Sequence, residues 1–315
     1  MKNKINGIHH ITVLASDPQK NYDFYTGILG LRLVKKTVNF DAPDVYHFYY
    51  GNETGEPGTI LTFFPFPDAR KGKKGTGETT AVALSIPQNS LDYWMSYFAE
   101  KAVDFNGPQK KFGRPYISLL DPDGLIIELV PDETADKLEG WSNGEIDKKH
   151  SIRKFFGATF NLQKIIPTEN LLNEIMGIEY DKTDGSYKRY IIGSAENKAR
   201  IDIIEFSSGQ KSISGAGSVH HIAWRAENET EQMMWKTKIT EAGLLPTQII
   251  DRQYFRSIYF REPGGILFEI ATDDPGFLID EDLANLGNEL KLPTQYESKR
   301  KQIEMSLMPL KTKFN

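Results

Sequence analysis

The stretch GIHHIT at residues 7–12, with its counterpart SVHHIA at residues 218–223, decides the fold of this 315-residue chain. A second pair recurs farther along, because DPDGLIIELV at 121–130 matches EPGGILFEIA at 262–271 with an offset of 141 residues. Subtracting that offset from His221 leads to Thr80, in TTAVALSI, which has the composition of a strand. Phrases that recur in this way indicate copies of one structural unit.

We predict an α+β fold of four βαβββ modules, near residues 7–65, 79–131, 153–206 and 218–272. Each module opens with a β-rich run that is followed by a helix signal. The predicted helix caps are Asp17, Ser90, Thr168 and Asn228, and Gly243 ends the last helix.

The modules predict a domain at 1–135 (modules 1 and 2) and a second at 151–275 (modules 3 and 4). Residues 136–150 are charged and lack periodicity, so they are interpreted as a linker. A mostly helical tail follows at 276–315. Ile303 and Leu307 lie on its apolar side, which should pack on the body of the protein or on a second subunit in a homo-oligomer.

The composition excludes several classes of function. Cysteine is absent, which excludes disulfides, thiolate zinc sites and iron–sulfur clusters. The net charge is −5 and no basic stripe is present, so no nucleic-acid partner is expected. No run of about 18 apolar residues and no signal peptide are recognised, so we expect a cytoplasmic protein without a membrane partner.

Four of the six histidines form two His-His pairs at equivalent places in modules 1 and 4. Neighbouring strand residues point to opposite faces, so one histidine of each pair can enter a common cleft, although alternation does not say which. Glu269 lies in an otherwise apolar strand, where a carboxylate should be paired or bound to a cation. Two histidines and one carboxylate match the facial triad of non-haem Fe(II) oxygenases.

The other two modules lack such a set. Glu128 matches Glu269 in module 2, and Glu205 is a candidate for the same place in module 3, but Thr80 and the Gly157–Ala158 region fill the histidine positions. Glu128 is therefore interpreted as a structural carboxylate. Phe63 aligns with Glu269 in module 1. Because the histidine pairs lie in modules 1 and 4, these two modules should share the barrel that holds the site.

The phrases GIHHIT, VHHIAW and PGGILFEIAT resemble the vicinal oxygen chelate (glyoxalase/bleomycin resistance/extradiol dioxygenase) superfamily. The whole chain, through YHFYYG, GEPGT and RSIYFREPGG into the tail DPGFLIDEDLANLG, is similar to bacterial ring-cleaving dioxygenases that act on hydroquinones. The resemblance implies two glyoxalase-like domains, with His10, His221 and Glu269 as the iron ligands.

The same resemblance implies a catalytic set of His9, Thr12, His220, Arg252 and Tyr259. Arg252 could steady a phenolate, and Tyr259 could move a proton. Other interpretations stay open: a surface ion pair for Arg252, a packed aromatic for Tyr259, and an orienting role for His9 and His220. Two further features are unassigned: His47 lines the pocket or is a core or edge histidine, and the basic segment 70–77 is a flexible loop or a lid.

These observations predict an Fe(II)-dependent, extradiol-type dioxygenase that opens hydroquinone-like or catechol-like rings with O₂. Its partners would be a small aromatic diol and O₂. Mn(II) suits the same ligands, and zinc or nickel can replace iron in a purified sample. The alternatives are a glyoxalase-like isomerase or thiol transferase, and a metal-free aromatic-binding resistance protein of the same fold.

Overall fold

The computed structural model describes residues 4–194 and 197–313, and its strands and helices follow four βαβββ modules as predicted. The first module contains β1 (Ile8–Ala15), α1 (Pro18–Tyr22), β2 (Arg32–Asn39), β3 (Ala42–Gly51) and β4 (Ile60–Pro65). The second contains β5 (Glu78–Ile86), α2 (Leu91–Glu100), β6 (Phe105–Lys111), β7 (Arg114–Leu120) and β8 (Ile126–Pro131).

The second half of the chain repeats this order. The third module contains β9 (Lys154–Leu162), α3 (Ile166–Asn170), β10 (Glu179–Asp184), β11 (Tyr187–Ile192) and β12 (Ala199–Glu205). The fourth contains β13 (Val219–Ala226), α4 (Glu229–Glu241), β14 (Ile250–Asp251), β15 (Arg256–Arg261) and β16 (Leu267–Thr272). A π-helical turn extends α1 at Asp23–Ile28 and α3 at Leu171–Ile175.

The strands form two eight-stranded sheets, and each sheet combines one module from either half of the sequence. The first has the order β14-β15-β16-β13-β1-β4-β3-β2, and the second has the order β10-β11-β12-β9-β5-β8-β7-β6. Modules 1 and 4 therefore share one sheet, as the histidine pattern indicated, and modules 2 and 3 share the other. The domain boundaries at 135 and 151 stay a prediction.

Two of the four predicted helix caps are confirmed. The Asp17 carboxylate accepts hydrogen bonds from the backbone N–H groups of Gln19 and Lys20, with Pro18 as the first residue of α1. Asn228 accepts the backbone N–H of Glu231 at the start of α4. Both side chains satisfy donors that have no partner within the helix.

The other two predicted caps are wrong because each hydroxyl has a partner elsewhere in the fold. Ser90 precedes α2, but its Oγ lies 3.0 Å from His150 Nδ1 and caps no helix N–H. Thr168 lies inside α3 and donates to Glu262 Oε2 at 2.6 Å. Short polar side chains choose between local and distant partners, and sequence alone does not reveal the distant ones.

The tail packs on the body of the protein, on the outer strand of the first sheet. It consists of short 3₁₀ turns and α5 (Arg300–Ser306). Ile303 and Leu307 are buried in one cluster with Val38 of β2 and Leu292. Tyr296 donates from its hydroxyl to the Phe40 carbonyl at 2.7 Å, which ties the tail to the β2–β3 hairpin.

The basic segment 70–77 is neither free nor a lid. It forms β-bridges from Lys71 to Ala216, from Lys73 to Ile213 and from Thr76 to Lys211. These bridges hold it against the chain that leads into β13. In the part of the chain that the structure describes, none of the helices is long and apolar enough to cross a membrane.

The packing of the tail predicts different costs for two substitutions in α5. Ile303 is 5% exposed whereas Met305 is 81% exposed. Ile303→Ala should lower the free energy of unfolding by about 2–5 kcal/mol because it leaves a cavity in the cluster. Met305→Ala should change it by less than about 0.5 kcal/mol. Urea unfolding of both variants checks this, and equal effects would contradict the packing described.

Candidate metal centre

The central strand pair of the first sheet brings the two histidine pairs together. Strands β1 and β13 run antiparallel, with His10 opposite Ala223 and Thr12 opposite His221. Strand β16 runs parallel to β13 and places Glu269 beside Ala223. Side chains two residues apart on a strand share a face. The register therefore sets the second histidine of each pair and Glu269 on one face.

The three side chains meet at a single buried point. His10 Nε2 lies 3.2 Å from His221 Nε2 and 3.3 Å from Glu269 Oε2, and His221 Nε2 lies 2.9 Å from that oxygen. The side chains of these residues are only 2%, 5% and 0% exposed, respectively. Three donors at right angles, each about 2.1 Å from a cation, would lie about 3.0 Å apart. The observed spacing therefore fits a divalent metal ion bound on one side.

The neighbouring side chains hold these three groups in position. His9 Nδ1 lies 2.9 Å from His10 Nδ1, and His220 Nδ1 lies 2.8 Å from His221 Nδ1. The Nε2 atoms of His10 and His221 are thereby directed to the point where they meet Glu269. Ser257 donates a short hydrogen bond to the other oxygen of Glu269. Such outer contacts fix the orientation of metal ligands.

The electrostatics of His221 and Glu269 favour the unprotonated forms that bind metal. Burial lowers the pKa of His221, so its imidazole is neutral near pH 7. Burial alone would raise the pKa of Glu269, but the imidazoles of His10 and His221, which lie within hydrogen-bond reach of its carboxylate, outweigh burial and hold that pKa well below its usual range. Neutral imidazoles and a charged carboxylate are the forms that ligate a metal.

A cavity of about 420 Å³ lies in front of this cluster. Its walls are largely apolar, and the larger apolar side chains that line it are Leu14, Phe40, Phe64, Phe66, Phe255 and Leu267. Its polar groups include Thr12, His47, His220, Arg252 and Tyr259, whereas His9 is buried behind His10 against Phe255. Aromatic walls around a few polar groups are typical of small-molecule sites.

Arg252 and Tyr259 lie together at one side of the cavity. Arg252 Nε donates to the Tyr259 hydroxyl at 3.3 Å, and its Nη1 lies 3.7 Å from the exposed carboxylate of Asp41. Burial raises the pKa of Tyr259, and the charge of Glu269 raises it further, so the phenol stays protonated. The pair presents a permanent cation and a neutral proton donor to a bound molecule.

Thr62, not Phe63, is the module 1 counterpart of Glu269. Thr62 pairs with Thr12 in the parallel β1–β4 ladder, as Glu269 pairs with Ala223 in the β13–β16 ladder. Phe63 points to the opposite face and is buried in the core. A shift of one residue exchanges the two faces of a strand, so alignment of the repeats alone could miss Thr62.

In the second sheet, a lysine side chain of the protein itself provides the cation at the equivalent place. Its strand register puts Ala81 and Gly157, rather than Thr80, in the positions of the two ligating histidines. Glu128 holds the carboxylate position, and Lys111 Nζ lies 2.9 Å from it. Lys111 precedes Arg252 by 141 residues, the offset of the repeated phrases.

Asp202, not Glu205, supplies the second carboxylate of that network. Its Oδ2 lies 3.3 Å from Lys111 Nζ, and Arg189 donates two further hydrogen bonds to it, at 2.7 and 2.8 Å. Glu205 lies at the end of β12 and accepts the backbone N–H of Ile165. The interpretation of Glu128 as a structural carboxylate agrees with this buried ion-pair network.

This network predicts that Lys111 is important for stability. Lys111→Met removes the cation between two buried carboxylates and should lower the free energy of unfolding by about 3–5 kcal/mol. Lys110→Met is the matched control, because that side chain is exposed on the same strand. Chemical denaturation measures both, and a stability loss for Lys111→Met no greater than that of its neighbour would contradict the role assigned to this lysine.

Comparison with known proteins places this architecture in a family. A sequence model of the Glyoxalase/Bleomycin resistance protein/Dioxygenase superfamily matches residues 7–129 and 154–270. The chain is 44% identical over 318 residues to a protein named "Putative ring-cleaving dioxygenase MhqO" from Bacillus subtilis (strain 168), covering 99% of both chains. It is 34% identical to the chlorohydroquinone/hydroquinone 1,2-dioxygenase of Sphingobium indicum, covering 95% of both.

A solved structure agrees with these matches over the full length. The crystal structure of a "putative dioxygenase" from Bacillus subtilis superposes with a TM-score of 0.94 at 42% identity, covering 99% of this chain and 100% of the other.

Proposed function

This chain belongs to the glyoxalase/bleomycin resistance protein/dioxygenase superfamily, and we propose that it is an Fe(II)-dependent ring-cleaving dioxygenase acting on hydroquinone-like or catechol-like aromatics. The observation that carries the proposal is the cluster of His10, His221 and Glu269, which faces an aromatic-lined cavity from one side only. The names of the relatives, among them the hydroquinone 1,2-dioxygenase of Sphingobium indicum, support the same chemistry.

His10, His221 and Glu269 would hold the iron. When bound there, Fe(II) supplies a centre at which a phenolate and O₂ can both be held and exchange electrons. Mn(II) suits the same oxygen and nitrogen donors. The reaction we propose joins both oxygen atoms of O₂ to the aromatic diol, and its product is a ring-opened acid.

The remaining cavity residues bind and orient the diol. Phe64, Phe66 and Phe255 surround an aromatic ring and exclude water from it. The guanidinium of Arg252 stabilises the phenolate form of the substrate. The hydroxyl of Tyr259, neutral and hydrogen-bonded to Arg252, is in position to pass a proton to the oxygen that develops negative charge.

A glyoxalase-like isomerase or thiol transferase is the second candidate. Such a Lewis-acid enzyme would favour an additional carboxylate ligand. The counterpart of Glu269 in module 1 is Thr62, whose neutral hydroxyl supplies no such charge. A metal-free aromatic-binding protein is the third candidate, but it would leave the compact His-His-Glu cluster without a cation.

The first test of the proposal is metal content. Protein purified without chelator should carry a single divalent ion per chain, and Glu269→Gln and His221→Ala should lose it. Glu205→Gln, at the outer end of β12, is the control and should retain the ion. Elemental analysis measures the metal content of each variant as purified and again after anaerobic loading with Fe(II). Retention of the ion in the first two variants would rule out this cluster as its site.

The second test is O₂ uptake by the iron-loaded protein with hydroquinone, catechol, methylhydroquinone and chlorohydroquinone. At least one diol should be consumed together with an equal amount of O₂. Arg252→Gln should lower kcat by about 10²–10³-fold, because the phenolate loses its cation. Asp41→Asn, which alters only the exposed partner of Arg252, should have a small effect. Absence of O₂ uptake with every diol would refute the dioxygenase assignment.

A further inference from the structure

A chain of four hydrogen-bonded side chains runs through the wall of the cavity. The Tyr49 hydroxyl lies 2.8 Å from His47 Nδ1, and His47 Nε2 lies 3.0 Å from Thr62 Oγ1. Thr62 Oγ1 lies 2.8 Å from Thr12 Oγ1. All four residues are buried, and they belong to the adjacent strands β3, β4 and β1. The chain ends at Thr12, which lies directly opposite His221.

The two titratable residues in this series of hydrogen bonds, His47 and Tyr49, are neutral. Burial lowers the pKa of His47 well below its usual value. Burial also raises the pKa of Tyr49 well above its usual value. A neutral imidazole carries one N–H, so His47 donates through one ring nitrogen and accepts through the other.

This restriction leaves two directions for the hydrogen bonds. In the first, Tyr49 donates to His47 Nδ1, His47 Nε2–H donates to Thr62, and Thr62 donates to Thr12. The hydroxyl hydrogen of Thr12 then faces the cavity. In the second, every bond reverses, and the Tyr49 hydroxyl accepts from His47 Nδ1–H. Each direction leaves the hydroxyl hydrogen of one cavity-lining residue, Thr12 or Tyr49, outside the series of bonds. A phenol is a stronger donor and a weaker acceptor than an aliphatic hydroxyl, so the first direction, in which Tyr49 donates to the imidazole nitrogen, is preferred.

We propose that His47 is a positioning residue that sets Thr12 as a hydrogen-bond donor to an oxygen of the bound diol. This inference rests on the proposed function for the identity of the ligand. It also narrows that ligand, because the atom opposite Thr12 must accept a hydrogen bond, as a phenolate or carbonyl oxygen does. A substrate that presents only a donor there would leave two hydrogens facing each other.

The position of Thr62 explains why such a chain can exist in module 1. Thr62 occupies the place that Glu269 occupies in module 4. A carboxylate there would be an acceptor only and could not pass a hydrogen bond on to Thr12. The threonine both accepts from His47 and donates to Thr12, so the chain is continuous.

The first readout is the tautomer of His47, which is independent of catalysis. Nitrogen-15 NMR of histidine-labelled, zinc-loaded protein should show His47 protonated at Nε2, with Nδ1 as an acceptor. The signal of His47 is assigned by its loss in His47→Gln. Tyr49→Phe should move the Nδ1 resonance, whereas Tyr50→Phe is the matched control, because Tyr50 donates to Asn21 instead. Protonation of His47 at Nδ1 would overturn the proposal.

The second readout is the affinity for hydroquinone. Calorimetry on the zinc-loaded protein should show Kd raised about tenfold in Tyr49→Phe and in Thr62→Val, with Tyr50→Phe unchanged. With iron, KM should rise by a similar factor and kcat should change less. Unchanged Kd and KM in Tyr49→Phe and Thr62→Val would overturn the proposal. Failure of the proposed function gives a different result from failure of this inference. In that case hydroquinone would bind more weakly to Tyr49→Phe and Thr62→Val, as predicted, but the iron-loaded protein would take up no O₂.

Discussion

The antiparallel pairing of β1 with β13 is the constraint on which the rest of the first sheet depends. It joins segments that lie more than 200 residues apart in sequence, and its register brings His10 Nε2 within 3.2 Å of His221 Nε2. The parallel ladder from β13 to β16 then adds Glu269. A slip of one residue in either ladder would turn these side chains to the opposite face, so the site and the sheet are specified together.

The two sheets show two solutions to the same electrostatic problem. Each buries a carboxylate at the matching point of a parallel ladder, Glu269 in one sheet and Glu128 in the other. A buried charge needs a compensating charge nearby. In the second sheet Lys111 provides it from within the chain. In the first sheet we propose that a metal ion from outside the chain provides it, at the edge of the cavity of about 420 Å³ that His10 and His221 line.

The sequence repeats were sufficient to predict the four modules, the sharing of a sheet by modules 1 and 4, and a cluster of two histidines and Glu269. Strand alternation could not choose between the histidines of each pair, and the choice of His10 and His221 came from the resemblance to a family. The predictions were wrong at positions whose side-chain direction depends on the strand register. The module 1 counterpart of Glu269 is Thr62 rather than Phe63, and the histidine position of module 2 is Ala81 rather than Thr80. The second carboxylate near Glu128 is Asp202 rather than Glu205. Bulges and differing loop lengths shift the repeats by one or a few residues and cause these differences. The role of His47 depends on partners from two neighbouring strands, which no local pattern reveals.

The nested order of the modules has a consequence for synthesis on the ribosome. Modules 2 and 3 lie between modules 1 and 4 in the chain, yet they form a sheet of their own. The second sheet can therefore be completed while the fourth module is still being translated, because domains fold as their residues emerge. Module 1 must wait for β13 with one side of its central strand unpaired. The strand that carries His10 is thus the last large edge to be covered, and this newly made edge is where a nascent chain would need protection from aggregation.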